Sequence, residues 1–259
     1  MKLKINSLIL FLLLASCASK LDIQDDDILK RYELGMKYFE KEKYLKAETE
    51  FNYLILNNPG SKLALDAQYY MAESMFYQEK YLESIVEYER YSRFSDDYSK
   101  IERADFKSCE ASYQLSNEFL HDQGSAAELM DKLQFFIEKY PSSNFNSDIE
   151  FFFQEIRSKL AKKEYETGRL YLKLEEYNSA LIYFNEVISI YYDTIYSDLA
   201  RIEIVFTYLL RKKPKDAKLK LESFSNKFID YENYKVAEKL IQDMQSGELN
   251  LSNYIRLYK

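Results

Sequence analysis

The sequence predicts an all-α chain in which short helix pairs stack on one another. Three observations carry that expectation. Only 5 Gly and 3 Pro interrupt 259 residues, so the chain has few places to turn. The 25 Tyr and 17 Phe recur at spacings of three and four, the period of a helix face rather than of a strand. A short turn is also used three times, as Glu42-Lys43-Tyr44-Leu45, Glu79-Lys80-Tyr81-Leu82 and Glu175-Glu176-Tyr177-Asn178, which is the mark of an internal repeat.

The first element is a leader. Lys2 and Lys4 precede an apolar run from Leu8 to Leu14, about half of the ~20 residues that a membrane-spanning helix requires. Residues 1–16 therefore read as a signal peptide. The closing Leu14-Ala15-Ser16-Cys17 resembles the lipobox of bacterial lipoproteins. That resemblance implies cleavage before Cys17, a thioether-linked diacylglycerol on its sulfur, and acyl chains of the palmitate type. One chain binds a membrane only marginally, at about 10⁴ per molar, whereas two anchor it stably. Residues 17–27 form the lipidated N-terminus and a polar leash.

The repeats follow. Residues 28–61 hold Tyr32, Leu34-Gly35, Tyr38, Tyr44, Ala47, Phe51, Leu54 and Pro59. These fall on the aromatic, Leu-Gly, Tyr, Ala, Phe and Pro positions of the 34-residue tetratricopeptide template, with Tyr32 one place late. A second unit begins near Leu65, with Ala72, Met75, Tyr81, Ser84, Tyr88 and Tyr91 in the same slots. A later one shows Gly168, Tyr171, Tyr177, Ala180, Phe184 and Val187. The small residues let two helix axes approach, and the aromatics fill the remaining gap, each worth roughly 1.5–3 kcal/mol when fully buried. One pair cannot cover its own apolar face, so neighbours must stack on it.

Two further units are degenerate. Residues 102–141 contain a helix, a loop around His121-Asp122-Gln123-Gly124-Ser125 and a second helix, with Gly124-Ser125 expected as turn and N-cap. Residues 198–230 carry the last pair, turning at Lys212-Lys213-Pro214. Residues 234–244 form a capping helix. The expected organisation is an α-α superhelix of about five repeats over 28–245, with a tail at 246–259.

Composition narrows the function. The net charge of −7 becomes about −9 without Lys2 and Lys4, the wrong sign for coating nucleic acid. Cys109 is the only cysteine besides Cys17 and His121 the only histidine. Neither a zinc cluster nor a Ser/His/Asp or Cys/His nucleophilic set is readily built from these. No catalytic residue, metal or cofactor is expected, and Cys109 reads as a small buried residue.

Taken together, a lipidated cysteine, a brief leash and five such repeats resemble the BamD family of outer-membrane assembly lipoproteins. Asn57-Asn58-Pro59-Gly60-Ser61 is similar to the end of the family's first repeat. Tyr140-Pro141-Ser142-Ser143 with Asp148 is similar to the end of its third, and Arg157 to Tyr165 to the long helix that follows. Ile190-Tyr191-Tyr192-Asp193-Thr194 departs from the family in lacking a proline, and Ile182-Tyr183-Phe184-Asn185 offers no basic residue for the partner barrel protein. The resemblance implies a non-enzymatic scaffold on the periplasmic face of the outer membrane. Its C-terminal repeats would grip the periplasmic domains of the barrel-forming subunit, beside other assembly lipoproteins. Its N-terminal repeats would meet unfolded outer-membrane protein clients.

Two candidate surfaces come from the residues themselves. Template positions lining the inner groove correspond to Tyr32, Met36 and Phe39, then Tyr69, Glu73 and Phe76, a strip suited to an extended peptide; the alternative is rings that only pack between repeats. Arg211, Lys212, Lys213, Lys215, Lys218 and Lys220 crowd one turn of an acidic protein, and Arg157, Lys159, Lys162 and Lys163 form a second basic run. Either could dock an acidic partner or simply be solvated. Alternative functions are an adaptor of pilus assembly, division or cell-wall coordination, and a surface ligand-binding lipoprotein.

Overall fold

The computed structural model describes residues 27–119 and 123–247. Cys17, the leash up to residue 26, His121 and residues 248–259 lie outside the described residues. What is described is helical, without a strand. Eleven helices follow one another: α1 over residues 27–39, α2 Tyr44–Asn57, α3 Lys62–Phe76, α4 Tyr81–Phe94, α5 Tyr98–Phe119, α6 Gln123–Lys139, α7 Asn146–Lys173, α8 Tyr177–Ile190, α9 Ile195–Leu210, α10 Pro214–Ser223 and α11 Tyr231–Ser246. They make five tetratricopeptide-type pairs and a final single helix. Among the described residues no helix is long and apolar enough to cross a membrane.

Helix starts fall earlier than the apolar pattern places them. α3, α5, α9 and α11 begin at Lys62, Tyr98, Ile195 and Tyr231 rather than near 65, 102, 198 and 234. The added first turns carry mostly exposed residues, invisible to a burial pattern, and three are held by side-chain caps. Ser61 Oγ accepts from the Ala64 N–H at 3.0 Å, Asp97 Oδ1 from those of Ser99 and Lys100 at 3.1 and 3.3 Å, and Asp230 Oδ1 from that of Glu232 at 2.9 Å. Each such cap stabilises its helix by about 1 kcal/mol. The expected turn at Gly124-Ser125 is corrected, because α6 already starts at Gln123 and takes both residues into its first turn.

The chain divides into two compact units between Phe152 and Phe153. In the N-terminal unit, Ala47, Phe51, Leu54, Ala64, Ala67 and Met71 form one core cluster. Ala72, Tyr88, Tyr91 and Ala104 form the next. Phe106 stacks on Phe145 at 4.2 Å and Tyr113 on Phe152 at 4.4 Å. In the C-terminal unit α9 is the central helix, buried almost all round, and packs against α8, α10 and α11. Two clusters meet along it, one around Phe184, Ile204 and Phe206, the other around Val205, Leu209, Leu221 and Ile241.

In two pairs the helices approach through a glycine. A Cβ on Gly35 would sit 2.5 Å from Cε1 of Phe51, and one on Gly168 2.6 Å from Cε1 of Phe184. Both rings are fully buried. The recurring turn is one geometry used four times. Glu42, Glu79, Glu175 and Lys212 adopt φ of 56°, 62°, 60° and 59°. In each turn the following residue donates its N–H back across the bend, Lys43 to Tyr38, Lys80 to Met75, Glu176 to Tyr171 and Lys213 to Tyr208.

Candidate partner-binding surfaces

The six groove candidates lie on the first helices of the first two pairs. Tyr32, Met36 and Phe39 of α1 are half-buried against the first core cluster. Tyr32 meets Phe51 at 6.0 Å and Tyr70 at 6.3 Å, and Phe39 meets Tyr70 at 5.5 Å and Tyr77 at 6.1 Å. Tyr69 packs edge-on to Tyr88 and Tyr91. Phe76 meets Tyr81 at 5.5 Å. The two triads thus occupy matching positions, each touching the helices that follow it, and each half-buried ring leaves part of its surface open.

Glu73 differs from the other five candidates because it is buried. The Tyr88 hydroxyl donates to its Oε1 at 2.6 Å, and Lys107 Nζ of α5 stands 3.9 Å from the same atom. Lys107 also pairs with Glu110 at 2.9 Å and lies 4.6 Å above the Phe76 ring. Burial opposes the charge on Lys107, yet Glu73 and Glu110 together outweigh it and hold its pKa above the usual lysine value. Burial, then the Glu73 carboxylate, raises Tyr88 and keeps it a neutral donor. The sequence reading missed Lys107 and the role of Tyr88, since no apolar spacing marks a polar contact between helices, within a pair or across pairs.

A cavity of about 230 Å³ opens between α4, α5 and α6, with Cys109, Phe135 and Phe136 on its wall. Its lysines are engaged, Lys132 to Glu89 at 2.7 Å and Lys139 to Asp105 at 2.8 Å. Burial pushes the Cys109 thiol up to about 12, so it is inert at neutral pH.

In the C-terminal unit the two basic runs have different fates. Arg157 is locked onto Asp193, with Nη2 donating to Oδ1 and to the Ile190 carbonyl, both at 2.7 Å, and Lys159 and Lys163 have partners of their own. In the 211–220 run, Lys213 reaches Asp216 at 3.9 Å with both side chains half exposed. Arg211, Lys212, Lys215, Lys218 and Lys220 make no ion pair among the described residues. Lys212 stands where the other three turns place Glu42, Glu79 and Glu175. The same geometry here carries the opposite charge.

Beside this run lies a cleft of about 310 Å³ between α9 and α10, lined by Tyr208, Asp216, Leu219, Lys220 and Ser223. The sequence reading missed it, although the spacing of 216, 219/220 and 223 marks one helix face. In the first turn of α9, Asp198 holds the segment that leads into α11. It accepts from Arg201 at 2.9 Å, from the N–H groups of Ile229 and Asp230 at 3.0 and 2.9 Å, and from Asn233 at 3.2 Å.

The outer membrane lipoprotein family YfiO matches residues 24–221. The chain belongs to that family. It is a lipid-anchored outer-membrane protein of the BamD type, as the resemblance implied. It is 27% identical over 241 residues to the outer membrane protein assembly factor BamD of Rickettsia prowazekii (strain Madrid E), covering 92% of this chain and 96% of that one. Among solved structures, the TPR2AB-domain:pHSP90 complex of yeast Sti1 is 12% identical, with a TM-score of 0.42 over 84% of this chain and 96% of that one. A tetratricopeptide repeat protein from Parabacteroides merdae ATCC 43184 is also 12% identical, with a TM-score of 0.35 over 89% and 96%.

Proposed function

We propose that this lipoprotein is a non-enzymatic scaffold of the machinery that inserts β-barrel proteins into the outer membrane, held on the periplasmic face by lipid on Cys17. The observation that carries the reading is the alignment with an assembly factor over 92% of the chain, repeats included. In this reading the C-terminal unit grips the periplasmic domains of the barrel-forming subunit, with other assembly lipoproteins alongside, and the 211–220 run contributes to docking. The strip of Tyr32, Met36, Phe39, Tyr69 and Phe76, set around the buried Glu73, meets unfolded clients. Half-buried tyrosines suit that task, since the packed part of each ring is held while its free edge offers apolar area and a hydroxyl.

The test is capture of a C-terminally tagged protein from detergent-solubilised membranes, with identification of what co-purifies. A large β-barrel protein carrying periplasmic repeat domains is expected. Recovery of pilus or cell-wall components in its place would overturn the reading.

A further inference from the structure

The basic residues of the 211–220 edge contrast with four lysines of the N-terminal unit. Lys80, Lys100, Lys132 and Lys139 each meet a carboxylate at 2.7–3.1 Å from another helix. Five cations of the edge meet none. A chain with a net charge of −7 has carboxylates to spare, so leaving these cations clustered and unpaired keeps a local positive field within a negative molecule. That arrangement attracts an acidic partner and speeds its encounter.

The adjoining cleft adds shape. Its volume of about 310 Å³ lies at the low end of the roughly 300–1,000 Å³ found for small-ligand sites, room for an inserted side chain rather than a folded surface. Tyr208 forms one wall. Leu219, which is 63% exposed, stands on the other with Lys215 and Lys218 flanking it on α10. Asp216 also lines the cleft. Its carboxylate repels an anionic group seated inside, so the interior takes an uncharged side chain while acidic groups remain on the rim.

We propose that the α9–α10 cleft binds an acidic segment of a partner protein, with one apolar side chain inserted between Tyr208 and Leu219. The carboxylates flanking that side chain meet Lys215, Lys218 and Lys220. The proposal rests on reading the 211–220 run as a docking surface and specifies what it docks. Segment binding is driven jointly by charge and by one buried anchor, so it weakens both with salt and with loss of the anchor.

The experiment is fluorescence anisotropy on the full-length, detergent-solubilised protein. The probe is a fluorescein-labelled peptide of Asp and Glu with one central Phe. Saturable binding that weakens with salt is expected. Lys215→Glu combined with Lys218→Glu and Lys220→Glu should weaken it about tenfold or more. Leu219→Ala, or replacement of the peptide's Phe by Ala, should weaken it about three- to tenfold. Lys215, Lys218 and Leu219 are exposed and Lys220 is half-buried, and an unchanged helical circular-dichroism spectrum verifies folding. Equal binding of a Lys/Arg counterpart peptide would overturn the proposal, as would indifference to the triple charge reversal. So would displacement of the probe by dihexanoyl-phosphatidylglycerol as effective as that by unlabelled peptide, since the site would then be one for lipid headgroups. Peptide binding is measured without the assembly machinery. Its failure alongside successful capture of the barrel-forming subunit removes the cleft and leaves the scaffold. Success without that capture does the reverse.

Discussion

The α1–α2 pair of the N-terminal unit and the α7–α8 pair of the C-terminal unit are built on one template and sealed in different ways. Tyr32 and Tyr165, Gly35 and Gly168, Tyr38 and Tyr171, Tyr44 and Tyr177, Ala47 and Ala180, and Phe51 and Phe184 correspond one to one. The geometry repeats as closely as the letters. Tyr32 meets Phe51 at 6.0 Å and 54°, and Tyr165 meets Phe184 at 5.9 Å and 48°. The difference lies in what faces the next helix. Tyr70 completes an aromatic seam behind Tyr32 and Phe51, and its counterpart in the second pair is Glu203. That glutamate is buried, accepts from the Tyr165 hydroxyl at 3.2 Å and stands 3.9 Å from Arg169, which replaces Met36. Contact within a pair is fixed by glycine and phenylalanine, whereas the seam to the next pair can be aromatic or ionic.

Exchanging the two seams gives the largest expected effect. Glu203→Leu alone leaves the Tyr165 hydroxyl without its acceptor in the interior and removes one carboxylate from Arg169, which keeps Glu166 at 3.5 Å. It should cost about 2–3 kcal/mol. The double variant Arg169→Met, Glu203→Tyr installs the residues of the first pair and should recover most of that loss. Urea unfolding followed by circular dichroism measures both. A double variant no more stable than the single one would mean that the two seams are not interchangeable.

These features were unequally legible in the sequence. The helix pairs were readable because Gly35, Phe51, Gly168 and Phe184 must be those residue types for the axes to approach, and steric need of that kind leaves a fixed spacing. The turns were readable too, and the structure adds that Lys212 belongs with Glu42, Glu79 and Glu175, which a search for similar letters hides. The residues of the candidate strip share the helical spacing that puts them on α1 and α3, whereas the burial of Glu73 has no such signal in the chain. Its partners Tyr88 and Lys107 come from α4 of the same pair and α5 of the next, and no local pattern specifies a polar contact between helices. Helix starts were placed late for the complementary reason, since first turns are set by caps such as Ser61 and Asp230 rather than by apolar periodicity.

A smaller effect tests whether the within-pair contact is as uniform as it looks. In both pairs a Cβ in place of glycine hydrogen meets a fully buried ring at 2.5–2.6 Å. Overpacking of that kind costs about 1–3 kcal/mol, offset by the roughly 1 kcal/mol by which alanine favours a helix over glycine. Gly35→Ala and Gly168→Ala should therefore each lose up to about 2 kcal/mol in urea unfolding, and by the same amount within error. Unequal losses would show that one ring can yield where the other cannot.

The smallest expected difference lies in how the two pairs hand over to the next helix. After α2 the chain turns at Gly60, with φ of 85°, and enters α3 under the Ser61 cap. After α8 the corresponding residue is Asp193, held by the Arg157 guanidinium, and Thr194 provides no side-chain cap for α9. Burial opposes ionisation of Asp193, but the Arg157 hydrogen bonds outweigh it and hold its pKa below the ordinary carboxylate value. A depressed folded pKa means that its contribution is complete above the unfolded value of about 3.9 and is lost as pH falls through the folded one. The side chain is 30% exposed, so solvent limits that contribution to about 1 kcal/mol or less. Asp193→Asn should thus lower the urea midpoint at pH 6, and the gap from the unmodified protein should close as pH falls below about 4. Gly60→Ala should instead lose stability by a similar amount at every pH, because its cost is the strain of a left-handed backbone rather than a charge. A gap for Asp193→Asn that stayed constant down to acid pH would mean that the second handover is also held by backbone shape, and the contrast between the two pairs would then be confined to the Tyr70 and Glu203 seams.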